Sequence, residues 1–121
     1  MNDRTRSAVA LEVDVAATRA ERRRGLLGRE SLSATQGLLL SPCKAVPTVG
    51  MRFPIDVIFI DRDGRAVRIV RSLAPWRMAM SARAKAVIEL AAGQAAASEV
   101  QVGDLLYLAP PRGPIAEHPR C

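Results

Sequence analysis

The chain has very few aromatic residues. They make up 3% of its 121 residues, so the hydrophobic core must be built from Ala, Val, Leu and Ile. Three of the four aromatics, Phe53, Phe59 and Trp76, lie between residues 53 and 76. An aromatic side chain in that stretch is therefore informative about a core or a binding site.

Cysteine and histidine are also scarce. Two cysteines, Cys43 and Cys121, do not make a disulfide framework. The single histidine, His118, sits in a proline-rich tail, and no metal-ligand spacing is present, so we predict neither a metal nor a cofactor. A nucleophilic cysteine needs a nearby base or a positive field, so we interpret Cys43 as a small, buried or partly buried thiol.

Long apolar runs and a secretion signal are absent from the sequence as it stands. The first apolar run, residues 8–15, is short and carries Glu12 and Asp14. No stretch has the length needed to span a membrane. We therefore expect a soluble, bacterial-type protein of the cytoplasm; the sequence does not determine its oligomeric state.

Positive charge exceeds negative charge, and nearly all of it is arginine. The formal net charge is +6, with 18 Lys and Arg against 12 Asp and Glu, and Lys44 and Lys85 are the only lysines. This balance favours anionic partners, among them nucleic acid. The arginines are scattered rather than gathered in one block, which favours a solvated surface over a polyanion site.

The pattern of short apolar runs predicts one α+β domain over residues 8–108, between a flexible N-terminus (1–7) and a proline-rich C-terminal tail (109–121). We predict a mostly antiparallel, curled or barrel-like sheet with one or two short helices. An Asp-Gly turn at residues 63–64 predicts a hairpin. The predicted strands are 8–15, 38–40, 55–61, 66–73, 86–90 and 105–108, with an extended piece at 48–53, a helix after a Thr18–Glu21 capping box and a second helix at 94–99.

Several sequence blocks occur together in a recognisable order. They include Glu-Arg-Arg-Arg-Gly-Leu-Leu-Gly-Arg at 21–29 and Thr-Val-Gly-Met-Arg-Phe-Pro-Ile-Asp-Val-Ile-Phe-Ile-Asp at 48–61. The later blocks are Pro-Trp at 75–76, Ile-Glu-Leu-Ala-Ala-Gly at 88–93 and Val-Gly-Asp at 102–104. Over roughly residues 8–108 the chain resembles the domain-of-unknown-function family 192, also called uncharacterised protein family 0127.

The resemblance implies a small α+β fold with a curled sheet, and it brings no established activity. Two positions depart from the family pattern. Pro47 stands where a histidine usually precedes the Thr-x-Gly-Met-Arg-Phe run, and Val49 replaces the usual aromatic. If the family uses that histidine as an acid, a base or a ligand, this chain lacks it.

Asp56 is the most unusual residue of the pattern, because it lies inside the most hydrophobic strand. A buried carboxylate is costly unless it is paired or hydrogen-bonded. Asp56 could accept hydrogen bonds from backbone amides, or pair with Arg52, in a purely structural role. It could also be a ligand-binding or acid–base carboxylate in a pocket beside Met51, Arg52 and Trp76.

Glu89 is a second carboxylate drawn inward by its sequence, since it lies within an apolar run. With Asp56 it could form a structural network around Arg52, or the two-carboxylate machinery of an acid–base enzyme. Trp76 could cap the mouth of the barrel-like sheet or stack on a ligand.

The function predicted from these residues is non-catalytic binding of a small anionic ligand or a peptide carboxylate. The alternatives are a hydrolase-type enzyme using Asp56 and Glu89, and a polyanion binder working through arginine. The pocket or groove is expected near residues 48–56, with Arg52 at its polar end. The candidate ligand-binding residues are Thr48, Met51, Arg52, Asp56, Trp76 and Glu89.

Overall fold

Strands dominate the regular structure of this protein. A computed structural model describes residues 1–16, 18, 26, 29 and 31–108. The strands are β1 (Glu12–Ala16), β2 (Gln36–Leu40), β3 (Ala45–Pro47), β4 (Ile55–Ile60), β5 (Ala66–Leu73), β6 (Met78–Met80) and β7 (Ala86–Ala91), and the helix is α1 (Gln94–Ala97).

Five of the strands form one open sheet in the order β1-β2-β7-β4-β5, while β3 and β6 form a separate antiparallel pair. The β1–β2 pairing is parallel; the other pairings of the large sheet are antiparallel. The prediction of a mostly antiparallel sheet is confirmed, but the barrel-like closure is wrong. A barrel closes only when its two edge strands pair with each other. Within the described residues, β1 and β5 lie at opposite edges of the sheet and do not pair.

The sheet carries apolar side chains on both faces, so β4 is buried along its whole length. Successive side chains of a strand point to opposite faces. Val57, Phe59 and Val87 belong to one core cluster, on what we call the Phe59 face. Ile58 and Ala95 belong to the other cluster, on what we call the Ala95 face. The β3–β6 pair packs on the Phe59 face through Val46 and Ala79.

The β4–β5 hairpin follows the sequence prediction closely. Its turn is organised by Asp61, whose Oδ1 accepts hydrogen bonds from the backbone N–H groups of Asp63 and Arg65, both at 2.9 Å. Gly64 adopts a φ of 87°, which a residue with a side chain rarely adopts. The Asp-Gly pair therefore predicted the hairpin correctly, and Gly64 has the positive φ on which that prediction depends.

Other predicted elements differ in the structure. Residues 48–53 form a turn rather than an extended piece, because Gly50 takes a φ of 82° there. The strand β6 was not predicted, and the segment 105–108 makes only isolated bridges at Leu105 and Leu106. Glu21 of the predicted capping box, most of the helix that would follow it and the tail 109–121 lie outside the described residues.

Residues 1–7, predicted to be flexible, make specific contacts with the segment that follows α1. Asn2 is fully buried, and its Nδ2 donates a hydrogen bond to Asp104 Oδ2 at 2.9 Å. Arg4 Nε donates to Asp104 Oδ1 at 2.8 Å. The two ends of the described chain are thus joined by a buried carboxylate. The described helix, α1, is too short to cross a membrane.

Candidate functional site

Asp56 lies opposite a bulge in β5. Val57 faces Val70, but Ile55 faces Leu73, so β5 carries one extra residue at this point. Asp56 is fully buried, and its Oδ1 accepts a hydrogen bond from the N–H of Ser72 at 2.8 Å. The carboxylate therefore satisfies a backbone donor that the bulge removes from the regular strand ladder.

The other oxygen of Asp56 holds the start of α1. Asp56 Oδ2 accepts hydrogen bonds from the N–H groups of Gly93 at 3.0 Å and Ala95 at 2.8 Å. These amides precede or open the helix and lack intrahelical acceptors. Three backbone donors thus converge on one carboxylate, which is a favourable environment for a buried negative charge. Of the alternatives left open by the sequence, hydrogen bonding to backbone amides is the one observed.

Thr48 has a comparable structural role on the other side of the molecule. Its side chain is fully buried, and its Oγ1 accepts a hydrogen bond from the N–H of Arg77 at 2.8 Å. The carbonyl oxygens of Ala74, at 2.7 Å, and Arg77, at 3.0 Å, compete for its single hydroxyl proton. Thr48 thereby fixes the 74–77 segment against the turn that begins at residue 48.

The three candidate residues close to this turn, Met51, Arg52 and Trp76, differ in burial. Met51 is buried in the core cluster of the Phe59 face, whereas Arg52, the next residue, is exposed. Trp76 has a φ of 65° and is 63% exposed. The backbone N–H of Trp76 donates a hydrogen bond to the carbonyl oxygen of Thr48 at 3.0 Å. This bond holds the backbone of Trp76 against the turn that begins at residue 48. Of these three candidates, Arg52 and Trp76 are exposed to solvent.

The region around Trp76 presents an apolar surface to solvent. Alternation along β3 and β6 turns Val46 and Ala79 into the core and leaves Met78 and Met80 outside. The exposed large apolar side chains here are Val49 (54%), Trp76 (63%), Met78 (61%) and Met80 (56%), and we call this surface the β3–β6 outer face. Sequence reasoning missed it as a whole, although the Met-Ala-Met alternation was a readable signal.

Positive charge predominates in the chain segments that carry the outer face. The segments 42–55 and 65–88 contain eight Lys and Arg residues, two in the first segment and six in the second, and no Asp or Glu. Lys44 Nζ donates to the carbonyl of Ala84 at 2.9 Å, next to β3. Arg68 donates to the carbonyl of Met80 through its guanidinium. Such a surface favours negatively charged partners.

Glu89 lies in the central strand of the sheet and is only 3% exposed. Its Oε1 accepts no hydrogen bond within the described part of the chain. Burial raises the pKa of Glu89 to about 7, and the positive charge of Arg29 opposes this rise. Arg29 itself lies 3.8 Å from Asp14 at the edge of the sheet. Near neutral pH, a large fraction of Glu89 is therefore protonated and uncharged.

The two inward-drawn carboxylates do not share a site. Asp56 lies beside Leu90 in the register of β4 and β7, and Glu89 lies beside Val57. Cross-strand neighbours point to the same face, so Asp56 faces the Ala95 side and Glu89 the Phe59 side. The two-carboxylate arrangement considered from the sequence is not formed. Among the residues described, no group of His, Cys, Asp and Glu could hold a metal ion.

Cys43 conforms to its interpretation as a partly buried thiol, with Sγ 3.2 Å from the carbonyl oxygen of Ala45. Its contact with a backbone carbonyl is consistent with a structural role for this thiol.

Two solved structures have a similar fold. One is a protein of unknown function from Novosphingobium aromaticivorans DSM 12444, with 27% identity and a TM-score of 0.71 over 77% of this chain and 71% of that chain. Another is described as a "putative transcription regulator" from Sinorhizobium meliloti 1021, with 25% identity and a TM-score of 0.71 over 77% of this chain and 78% of that chain.

A search of curated proteins finds no match. The family model described as DUF192, Uncharacterized ACR, matches residues 1–108. This range includes all the strands that the structure describes, α1 and the β3–β6 outer face. The chain belongs to the DUF192 family of uncharacterised proteins.

Proposed function

We propose that this protein is a non-catalytic binding domain whose ligand is an anion with an apolar group, such as the carboxyl-terminal end of a peptide. The ligand lies on the β3–β6 outer face. The observation that carries the proposal is the exposure of Trp76, Met78 and Met80, which lie within five consecutive residues of the chain. Large exposed apolar patches mark sites of interaction more often than they occur without a role.

Charge supports an anionic ligand on this surface. Arg52 follows the buried Met51, and Arg77 lies between Trp76 and Met78 in the chain. A guanidinium offers two parallel N–H donors to a carboxylate, and an aromatic or thioether surface nearby accommodates an apolar side chain. No carboxylate in the segments 42–55 and 65–88 opposes a negative ligand.

The other candidate residues have supporting roles in this proposal. Thr48 and Asp56 use their side-chain oxygens on backbone groups, and both are fully buried. Met51 packs in the core. Glu89 is buried on the Phe59 face, and its ionised form would repel an anion. The ligand contacts are therefore Arg52 and the residues of the outer face.

The chain offers a direct probe, because Trp76 is its only tryptophan. We would titrate the protein with a tetrapeptide ending in Leu-Leu and follow indole fluorescence. The same peptide with a carboxyl-terminal amide is the matched ligand control. We expect a saturable fluorescence change with the free carboxylate and at least tenfold weaker binding of the amide. Equal binding of the two peptides, or no change with either, would contradict the proposal.

Variants locate the contact on the surface. Arg52→Gln and Arg77→Gln remove one positive charge each from the chain segments that carry the outer face, and Arg62→Gln removes one from the β4–β5 turn. We expect the first two to weaken peptide binding about tenfold, which corresponds to about 1.4 kcal/mol. Arg62→Gln should leave binding unchanged. A uniform loss in all three variants would indicate only a response to net charge.

A polyanion is the second candidate ligand, favoured by the carboxylate-free segments and by the description of the Sinorhizobium meliloti protein as a transcription regulator. Binding of a 20-base-pair DNA duplex would be measured between 50 and 200 mM salt. Counterion release predicts a fall in affinity of at least tenfold over this range. Affinity that stays flat with salt would remove this candidate. The hydrolase alternative has no geometric support, because its two carboxylates face opposite sides of the sheet.

A further inference from the structure

Strand β1 lies at the edge of the sheet in the part of the chain that the structure describes. It pairs with β2 alone among the described strands. The N–H of Glu12 donates to Thr35, and the C=O of Ala16 accepts from Ser41, so these groups point towards the β2 side. Because backbone groups alternate along a strand, those of Val13 and Val15 point to the open edge. An open edge can bind another extended segment.

One side of β1 is apolar. Leu11 is 73% exposed and Val15 is 48% exposed, on the same face as Val13. Val13 lines an apolar cleft of about 210 Å³ on the Ala95 face of the sheet, and Leu39 and Ile88 form its floor. The exposed residues Tyr107 and Leu108 also line this cleft.

The other side of β1 is acidic. Glu12 is exposed, and the side chain of Asp14 is 76% exposed. Arg29 lies 3.8 Å from Asp14, a separation that leaves this carboxylate weakly paired and open to a further cation. The strand thus presents carboxylates on one face and aliphatic side chains on the other.

We propose that β1 binds an extended segment of a partner protein as an added strand, and that this segment alternates apolar and basic residues. Its backbone would pair with the outward groups of Val13 and Val15. Its apolar side chains would lie beside Leu11 and the cleft, and its Lys or Arg side chains beside Glu12 and Asp14. In this mode main-chain hydrogen bonds supply affinity and alternate side chains supply specificity. The surface is separate from the β3–β6 outer face.

A second copy of this chain fits the edge poorly. In an antiparallel pairing over the whole of β1, Asp14 would face Asp14 of the copy. Moving the centre of the pairing to Val13 would set Glu12 against Asp14. Like charges directly opposite one another in a sheet are destabilising. The charge pattern of β1 therefore favours a basic partner strand over self-association.

The test uses amide hydrogen exchange of the full chain, read at Val13 and Val15. The probe is a seven-residue peptide of alternating lysine and valine with blocked ends. We expect exchange at both amides to slow about tenfold when the peptide is at ten times its dissociation constant. The first control is the same peptide with N-methyl groups along one edge, which cannot donate the backbone hydrogen bonds of a strand pair. The second control has glutamate in place of lysine and therefore lacks the positive charge that would attract Glu12 and Asp14. Neither should protect these amides.

Charge variants complete the test. Glu12→Lys with Asp14→Lys should abolish protection by the lysine peptide and produce protection by the glutamate peptide. Asp63→Lys, at the exposed β4–β5 turn, is the control and should change neither result. Absence of protection by the lysine peptide, or protection of the same amides by self-association without any peptide, would overturn the proposal.

Discussion

Asp56 and Glu89 lie on adjacent strands of one sheet and face opposite sides of it. Asp56 accepts three backbone hydrogen bonds, whereas Glu89 has an oxygen that accepts none within the described residues. Two carboxylates that look alike in the sequence therefore have different physical states. The first organises the backbone, and the second is buried in an apolar environment that favours its protonated form.

The first prediction concerns Asp56. Asp56→Ala should lower the free energy of unfolding by about 3 kcal/mol, because the amides of Ser72, Gly93 and Ala95 lose their acceptor. Asp56→Asn should cost about 2 kcal/mol, since its amide nitrogen cannot accept a hydrogen bond. Urea unfolding measures both. Asp63→Asn, at an exposed position, is the control, and unchanged stability of Asp56→Ala would refute the structural role.

The second prediction concerns the pH dependence that Glu89 confers. Burial raises its pKa in the folded protein from 4.5 to about 7, so the native state binds more protons than the unfolded chain between these values. The contribution of Glu89 to stability should therefore fall as pH rises from about 4.5 to about 7, by about 3 kcal/mol at most.

Glu89→Gln should remove that dependence and stabilise the protein at pH 8 relative to wild type. Urea unfolding of both proteins at pH 5 and pH 8 gives the comparison. Glu12→Gln, which alters an exposed carboxylate, should leave the wild-type pH profile in place. An identical profile in Glu89→Gln would show that Glu89 is not the group responsible.

The third prediction separates backbone strain from a steric clash. Gly64 and Gly103 both have positive φ, 87° and 98°. A Cβ at Gly64 would lie 3.1 Å from the carbonyl oxygen of Leu106. A Cβ at Gly103 would have no heavy atom of another residue within 4 Å, its chain neighbours aside. Gly64→Val should therefore cost about 3 kcal/mol and Gly103→Val about 1–2 kcal/mol. Thermal unfolding of both variants measures the difference, and equal losses would contradict the clash.

The fourth prediction concerns the junction of the N-terminal segment with Asp104. The Arg4 guanidinium lowers the pKa of Asp104 from 3.8 to about 2, with further hydrogen bonds from Asn2 and Gln101. This stabilisation is complete above about pH 4 and is lost as pH falls towards 2. Arg4→Met should therefore move acid unfolding to higher pH, as measured by circular dichroism. Arg62→Met is the control, and an unshifted midpoint for Arg4→Met would exclude the ion pair as the cause.

The hairpin could be predicted from the sequence because its information is local. An Asp-Gly turn between two apolar runs specifies both strands and their connection, and β5 was predicted with its observed bounds. The helix after Gly93 was readable in the same way, although it ends earlier than predicted. Whether the sheet closes into a barrel could not be predicted from the sequence, because closure depends on pairing between strands that are far apart in the chain.

In the candidate site too, the sequence identified the unusual residues, and only the structure showed where their side chains point. The sequence identified Asp56, Arg52 and Trp76 as unusual, but it could not supply the face to which each side chain points. Thr48 and Met51 were grouped with them by proximity in the chain, and packing buries both. Met78 and Met80 become part of a surface only because β6 pairs with β3 and turns Ala79 inward.

The family, the positive charge and the main hairpin can be predicted from residue identity and local backbone preferences alone. Which polar groups are hydrogen-bonded, which apolar groups stay exposed and which described strands lie at the edges of the sheet depends on the folded structure. Those properties arise from register between strands far apart in the chain. A one-residue change in register moves a side chain to the opposite face, and this is why Asp56 and Glu89 could be assigned only from the folded sheet.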